Sequence, residues 1–421
     1  MGIRAGTVES VDLIMCKKAK EIRRALVVGC GLCGSVIARG LAEQGIDVEI
    51  WERREHIGGN MYDYVDEHGF MVQKYGPHTF HAKEKRLYDY MLRFEEWREF
   101  TLYSGAVWDG KYTPTPFNFK TIDIFYPVEQ AQLLKAKLTE AFGSRESAPV
   151  LEVLQHIDPD IHEYAKFLFQ NDYAPYTAKQ WGIPADQIDP SVLARVPLRF
   201  SYNEDSFGTD ILYRIMPVHS FTRFFENLLR HPNIHVKLGV DALVHLSCKE
   251  GHLLLDERKI ASDWIVIYTG ALDELFGYIY GELPYRSLRF EWRYSKADSV
   301  QQSAVVAYPQ EPGYTRVTEY KKLYQQKMPG SSYALEYPIP YSREQGNEPY
   351  YPVLTEDSQR LYADYRSIAD KIPELVCCGR LADFKYYDMD VALRQALDVC
   401  DRIVRSFIMP KGKDAVANMN F

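Results

Sequence analysis

The sequence predicts an α/β fold: a layer of parallel strands drawn from both ends of the chain and its middle, carrying one helical insertion and one antiparallel-sheet insertion. Three observations predict it. Residues 25–52, ALVVGCGLCGSVIARGLAEQGIDVEIWE, read as strand, glycine turn, helix and strand, and end on an acid. Residues 374–404, ELVCCGRLADFKYYDMDVALRQALDVCDRIV, supply another strand, a Gly-Arg turn and a helix at the far end of the chain. Between them, spacing turns helical over about 84–180 and strand-like over 286–340.

In the first unit, Gly29, Gly31 and Gly34 fill the GxGxxG pattern. The first permits the tight turn, the second a close approach of backbone to a pyrophosphate, and the third a helix packed against its strand. Amides at the helix start then face phosphate. Glu52 closes the second strand, where a carboxylate accepts hydrogen bonds from ribose hydroxyls and repels a 2'-phosphate, which favours FAD or NAD over NADP. The next residues, RREHIGGNMY, carry a second glycine turn at Gly58 and Gly59, followed by Asn60. That turn tilts the reading to an FAD-binding Rossmann-like domain.

Residues 60–80 alternate polar and apolar, as in a hairpin leading into a loop. QAQLLKAKLTEAF and IHEYAKFLF belong to the helical insertion. IHVKLGVDALVHL and HLLLDERKIASDWIVIYTG return to the nucleotide layer, the last strand closing at Thr269 and Gly270. RSLRFEWRY, SAVVAYP, YTRVTEYKKLY and SYALEYPIP form the antiparallel sheet. The final helix is expected to begin near Asp388 with its side chain as cap, and to carry Val391, Leu393, Ala396 and Leu397 on its apolar face. The division this gives is an N-terminal extension (1–24), a discontinuous FAD-binding domain (25–84, 211–282 and 373–410), a helical substrate and lid domain (85–210) and an antiparallel-sheet domain (283–372).

Bulk properties exclude several classes. A net charge of -8 opposes a nucleic-acid surface, so an anionic small substrate needs arginines placed locally. The chain has no apolar run of about 18 residues and no signal peptide, so it is expected in the cytoplasm without a membrane partner. Seven scattered cysteines make no disulfide framework. The CxxC of Cys30 and Cys33 lies inside the glycine fingerprint, where small residues are wanted, so no metal is expected there.

Seven segments in order, GCGLCG with REHIGGNMY, KYGPHTFH, PYTAKQWG, RVPLRF, YRSLRFE, YTRVTEY and GRLADFKYYDM, together resemble the UDP-galactopyranose mutase family. The resemblance spans about residues 25–400. It implies FAD, active when reduced, whose nitrogen-5 attacks the anomeric carbon, opens the sugar ring and lets another hydroxyl reclose it. The activity implied is isomerisation of UDP-galactopyranose and UDP-galactofuranose, for cell-surface polysaccharide, by a homodimer. Arg380 is then expected at the FAD pyrophosphate or ribityl chain, Met389 and the helix start after Asp388 at the flavin ring, and His78 and His81 near the isoalloxazine. Tyr176, Gln180 and Trp181 line the nucleotide-sugar cleft, and Gly182 to Ala194 form a mobile lid. Arg195 and Arg286 clamp the diphosphate with His81 as a third catalytic residue, Tyr314 and Tyr386 touch the diphosphate, and Asp388 lies near the sugar. The chemistry asks for such residues, because a diphosphate that leaves and returns needs fixed guanidinium groups at both stages.

The chain departs from the family around Arg199 to Thr222. Ser206 stands where a tyrosine is usual, His219 and Ser220 replace a Gly-Gly pair, the segment is two residues longer, and the usual asparagine near Leu102 to Ser104 is missing. Other nucleotide sugars, dTDP- or UDP-linked 6-deoxy or N-acetyl hexoses, therefore stay open as substrates. So do a flavin oxidoreductase of the amine oxidase type and a non-catalytic FAD-binding protein.

Overall fold

The computed structural model describes residues 22–182, 184 and 196–408. At its centre is a parallel sheet of five strands in the spatial order Ile234–Leu238, Asp47–Glu52, Arg24–Val28, Trp264–Tyr268 and Leu375–Cys377. The first strand of the chain lies in the middle, and the connections leave it on either side. That makes its carboxyl end a topological switch point, where open α/β sheets hold ligands.

Side-chain alternation splits the sheet between two cores. Ala25, Val27, Val48, Ile50, Ile265 and Ile267 face helices Leu32–Glu43 and Met389–Ile403. Leu26, Val266, Tyr268, Leu375 and Cys377 face the other side, with helix Glu356–Ala369. Burial on both faces is why ALVV and WIVIY are unbroken apolar runs.

The hairpin read in residues 60–80 is the pair Asp63–Val65 with Met71–Gln73. Helices Phe119–Phe125, Val128–Phe142, Pro159–Leu168 and Ala174–Trp181 follow, most of them around a third core that includes Ile122, Leu134, Tyr164 and Leu168. A seven-stranded sheet takes the order Tyr351–Pro352, Tyr285–Ser295, Ser331–Pro340, Arg316–Glu319, Val305–Ala307, Ser104–Trp108 and Lys111–Thr115. Among the described residues no helix is long and apolar enough to cross a membrane.

Three local expectations need correction. Residues 104–115, read as part of the helical insertion, form a hairpin whose strands join the seven-stranded sheet. Its signal is Asp109-Gly110, both at positive φ (50° and 70°), the pair a two-residue hairpin turn prefers. Residues 356–369, placed with the antiparallel sheet, form a helix started by a Thr355/Ser358 capping box, and its Tyr365 and Ala369 fill the second core. Asp388 does stand at the N-cap of the last helix, but its side chain makes no cap hydrogen bond.

Candidate active site

A cavity opens at the switch point of the parallel sheet, lined by both glycine turns, Glu52, Arg54, His78, Thr269, the Gly379–Leu381 turn and Tyr387 to Met389. The glycines there have steric reasons. A Cβ on Gly34 would sit 2.1 Å from the Gly29 carbonyl oxygen, and one on Gly59 would sit 2.8 Å from the Gly31 Cα. The second glycine turn thus lies directly on the first, and together they form a smooth backbone floor. Gly31 is the N-cap of helix Leu32–Glu43, so first-turn amides are available there for phosphate. Glu52 accepts hydrogen bonds from the amides of Cys30 (2.8 Å) and Arg54 (3.0 Å), which fixes its carboxylate beside the turn. Burial pushes the Cys30 thiol up to about 12, so at neutral pH it is a packed thiol, not a thiolate. This floor, its acid and Arg380 fit the dinucleotide part of FAD.

Arg54 donates twice to Asn60 Oδ1 (3.1 Å each) and pairs with Glu348, and all three residues line the cavity. Arg380 donates to the Tyr387 carbonyl (2.7 Å). Asp388 and Met389 line the same end, with the start of the last helix. His78 is there too, its Nδ1 2.8 Å from the Gly76 carbonyl. Burial lowers its ring pKa to about 4 against that hydrogen bond, and Arg380 and Arg316 lower it further, so the ring is neutral at working pH. His81 is not among the cavity-lining residues. It lies in strand Phe80–Ala82 with its ring stacked on Phe207 at 4.2 Å.

The residue that sequence reasoning missed is Arg316. Its Nε donates to Glu336 (2.8 Å), the residue facing it on the neighbouring strand. Although deeply enclosed, it keeps 24% of its side-chain surface accessible, whereas Glu336 keeps 2%. The pair is thus asymmetric: the carboxylate is shut away from solvent, while part of the guanidinium stays accessible. Tyr176 and Tyr351 interact with Arg316, and His78 does so from the cofactor side. A Cβ on Gly76 would be 3.7 Å from Arg316 Nη2, so the His78 loop passes close to it.

Aromatic rings cluster at Tyr386. Tyr351 and Tyr386 are 5.2 Å apart, Trp181 lies 5.7 Å from Tyr386 and 6.0 Å from Tyr351, and the Arg380 guanidinium sits 5.2 Å from the Tyr386 ring. Burial pushes the Tyr176 phenol up to about 12, so it stays a proton donor. Gln180 accepts from Thr315 (3.2 Å), which joins the helix to the strand of Arg316. Tyr314 sits elsewhere, on a loop against Tyr308 and Tyr337. Tyr351, not Tyr314, is therefore the tyrosine brought to Tyr386.

Arg286 donates to the carbonyls of Gln180 (3.1 Å) and Lys179 (3.4 Å), the last turn of helix Ala174–Trp181. A guanidinium there complements the helix C-terminus, and Gly182 ends the helix in the left-handed conformation (φ 71°). Arg195 lies outside the described residues, as does the lid segment except Gly182 and Pro184. The signal available for Glu336 was a lone charged residue inside the largely apolar strand SYALEYPIP, whereas Arg316, first in the strand RVTE, carried none of that kind.

The altered segment is tied together by its own polar groups. Arg199, 3% exposed, donates to the carbonyls of Asn203, Asp205 and Phe207. Arg214 pairs with Asp205, and the Ser206 and Ser104 hydroxyls are 2.7 Å apart. Ser220 caps helix Phe221–Leu229 through the Arg223 amide (2.9 Å).

Comparison with known proteins adds the following. A family model described as UDP-galactopyranose mutase matches residues 171–386, and one for an NAD(P)-binding Rossmann-like domain matches residues 27–94. The chain is 32% identical to a UDP-galactopyranose mutase of Mycoplasma pneumoniae, over 90% of this chain and 96% of that one. It is also 32% identical to a dTDP-fucopyranose mutase of Escherichia coli, over 91% and 99%. A crystal structure of reduced UDP-galactopyranose mutase superposes with a TM-score of 0.69 at 14% identity, covering 92% of this chain and 96% of that one.

Proposed function

The chain belongs to the UDP-galactopyranose mutase family, and we propose that it interconverts the pyranose and furanose forms of UDP-galactose. It is an isomerase, its cofactor is FAD, and its substrate is a nucleotide-diphosphate sugar. One observation carries the proposed site: Arg316, backed by the buried carboxylate of Glu336, keeps part of its guanidinium accessible and lies within electrostatic reach of Tyr176, Tyr351 and His78.

When bound and reduced, FAD supplies the nucleophile for the anomeric carbon. The chain's own residues do the rest. Glu52 holds the cofactor ribose, the amides after Gly31 and the Arg380 guanidinium hold its pyrophosphate, and Asn60, His78 and Met389 bound its flavin end. Arg316 grips the substrate diphosphate as it leaves and returns, being planar and permanently charged. Arg195 is proposed as a second guanidinium for the same group. Tyr351 and Tyr386 donate hydroxyl protons to the phosphate oxygens, Tyr176, Gln180 and Trp181 wall the nucleotide, and Asp388 faces the sugar. The aromatic wall excludes water, which keeps the anomeric carbon from hydrolysis while its bond to phosphate is broken. Arg286 braces the helix that carries Tyr176, Gln180 and Trp181.

A second reading, the same chemistry on a dTDP-linked 6-deoxy sugar, is favoured by Ser206 and by the similarity to the dTDP-fucopyranose mutase. One experiment tests both readings. Dithionite-reduced protein is incubated with UDP-galactofuranose, UDP-galactopyranose or dTDP-fucopyranose beside an unreduced control, and the products are separated by chromatography. Interconversion only after reduction is expected, fastest with UDP-galactose. Faster turnover of dTDP-fucose would replace the first reading with the second, and no turnover of any would overturn both. A cytoplasmic homodimer belongs to the same proposal and is checked by cell fractionation and light scattering.

A further inference from the structure

Gln73 is fully buried. Its side-chain oxygen accepts from the His78 amide, and its NH2 donates to the His78 carbonyl (3.0 Å) and to the Tyr324 hydroxyl (2.9 Å). Tyr324 donates to Asp63 (2.6 Å), whose carboxylate also takes the amides of Phe221 and Thr222 at 2.7 Å each. Asp63 and Tyr324 are 2% and 5% exposed, so water does not compete for these bonds.

The directions of these bonds are forced. With its proton given to Asp63, the Tyr324 oxygen can only accept from Gln73. The Gln73 NH2 must therefore point at Tyr324, and its carbonyl oxygen is left facing the His78 amide. His78 is then held at both its N–H and its C=O. Its Nδ1 meets the Gly76 carbonyl, which can only accept, so Nδ1 carries the proton and Nε2 is the acceptor.

We propose that Gln73 is a positioning residue: Asp63, acting through Tyr324 and Gln73, fixes the backbone and ring tautomer of His78, and so presents His78 Nε2 as a hydrogen-bond acceptor to the flavin end of the cofactor. The inference rests on the reading of this cavity as the FAD site with His78 at its flavin end. The Gly76 carbonyl sets the tautomer only while the loop keeps its shape, and Gln73 is the side chain that holds that loop at both the N–H and the C=O of His78.

The test compares Gln73→Leu, Tyr324→Phe and His78→Ala in the FAD-loaded protein, with ring-nitrogen NMR of histidine-labelled Gln73→Leu and Tyr324→Phe. Wild type is expected to show His78 wholly in the Nδ1–H form, and both relay variants a mixture of tautomers. Their flavin absorption and midpoint potential should move in the same direction as in His78→Ala, with kcat lower by about tenfold and KM within about twofold. Wild-type tautomer and potential in both FAD-loaded relay variants would overturn the proposal, even with a lowered Tm. Should Gln73→Leu fail to fold, Tyr324→Phe decides by the same readouts. Unchanged flavin properties in His78→Ala would instead remove the flavin-end reading of His78, whereas a wild-type tautomer in the relay variants would remove the relay alone.

Discussion

Replacing Arg316 by alanine would separate the two things this residue does. Glu336 behind it is 2% exposed, and its Oε1 already lacks a partner among the described residues. Removing the guanidinium leaves that carboxylate buried without a cation, which costs about 3–5 kcal/mol of stability. Removing the pair together is far milder, because an ion pair exchanged for apolar groups of similar volume is often neutral or stabilising. Arg316→Met with Glu336→Leu should therefore return to within about 1 kcal/mol of wild type in denaturant titration. Catalysis should not return with it. A lost charged hydrogen bond to phosphate is worth about 3 kcal/mol, or about 10²-fold in kcat/KM. The assay is conversion of UDP-galactofuranose by the reduced holoenzyme for the wild type, the single variant and the double variant. A stable double variant with near-wild-type kcat/KM would show that Arg316 serves only Glu336, and would refute its role at the diphosphate.

Three further outcomes follow from the same geometry. The folded pKa of His78, about 4, lies below the ordinary value of 6.5, so between those limits the unfolded chain binds the extra proton. Its contribution to stability is full above pH 6.5 and falls as pH drops toward 4, by about 3 kcal/mol; denaturant titrations of His78→Gln should show a shallower loss over that window. Arg286→Ala removes a helix-end partner rather than a cleft group, so calorimetry should find a loss of about 1 kcal/mol and turnover reduced less than in Arg316→Ala. Ser206→Tyr restores the bulk usual in the family, and a panel of nucleotide sugars should show preference moving toward UDP-galactose if that position sets the choice. An unchanged preference would point away from it.

The cofactor half of the site was legible in the sequence because its determinants are local. The glycines, Glu52 and the last helix stand at fixed offsets inside short segments, and each offset has a steric or electrostatic cause. The hairpin at 104–115 is equally local, but its Asp109-Gly110 turn is a two-residue signal set beside a much longer stretch of helical spacing. Arg316 and Glu336 are a different case. They are 20 residues apart and become a pair only through the register of two antiparallel strands. No periodicity carries that information, since a shift of one residue in the pairing would separate them. Tyr351 likewise reaches Tyr386 through a two-residue strand added at the edge of the same sheet.

The altered segment bears on which nucleotide sugar this isomerase accepts. A substrate wall that had lost its function would be free to lose its polar partners as well, because each buried unsatisfied group costs about 1–3 kcal/mol only where structure must be kept. Arg199 instead satisfies three carbonyls of the segment, Arg214 holds Asp205, and the Ser206 hydroxyl is paired with that of Ser104. The two hydroxyls satisfy one another, so Ser206 adds no unpaired group to the segment. A segment held by this many internal bonds keeps one order, which is what a pocket adjusted to a particular sugar or nucleotide needs.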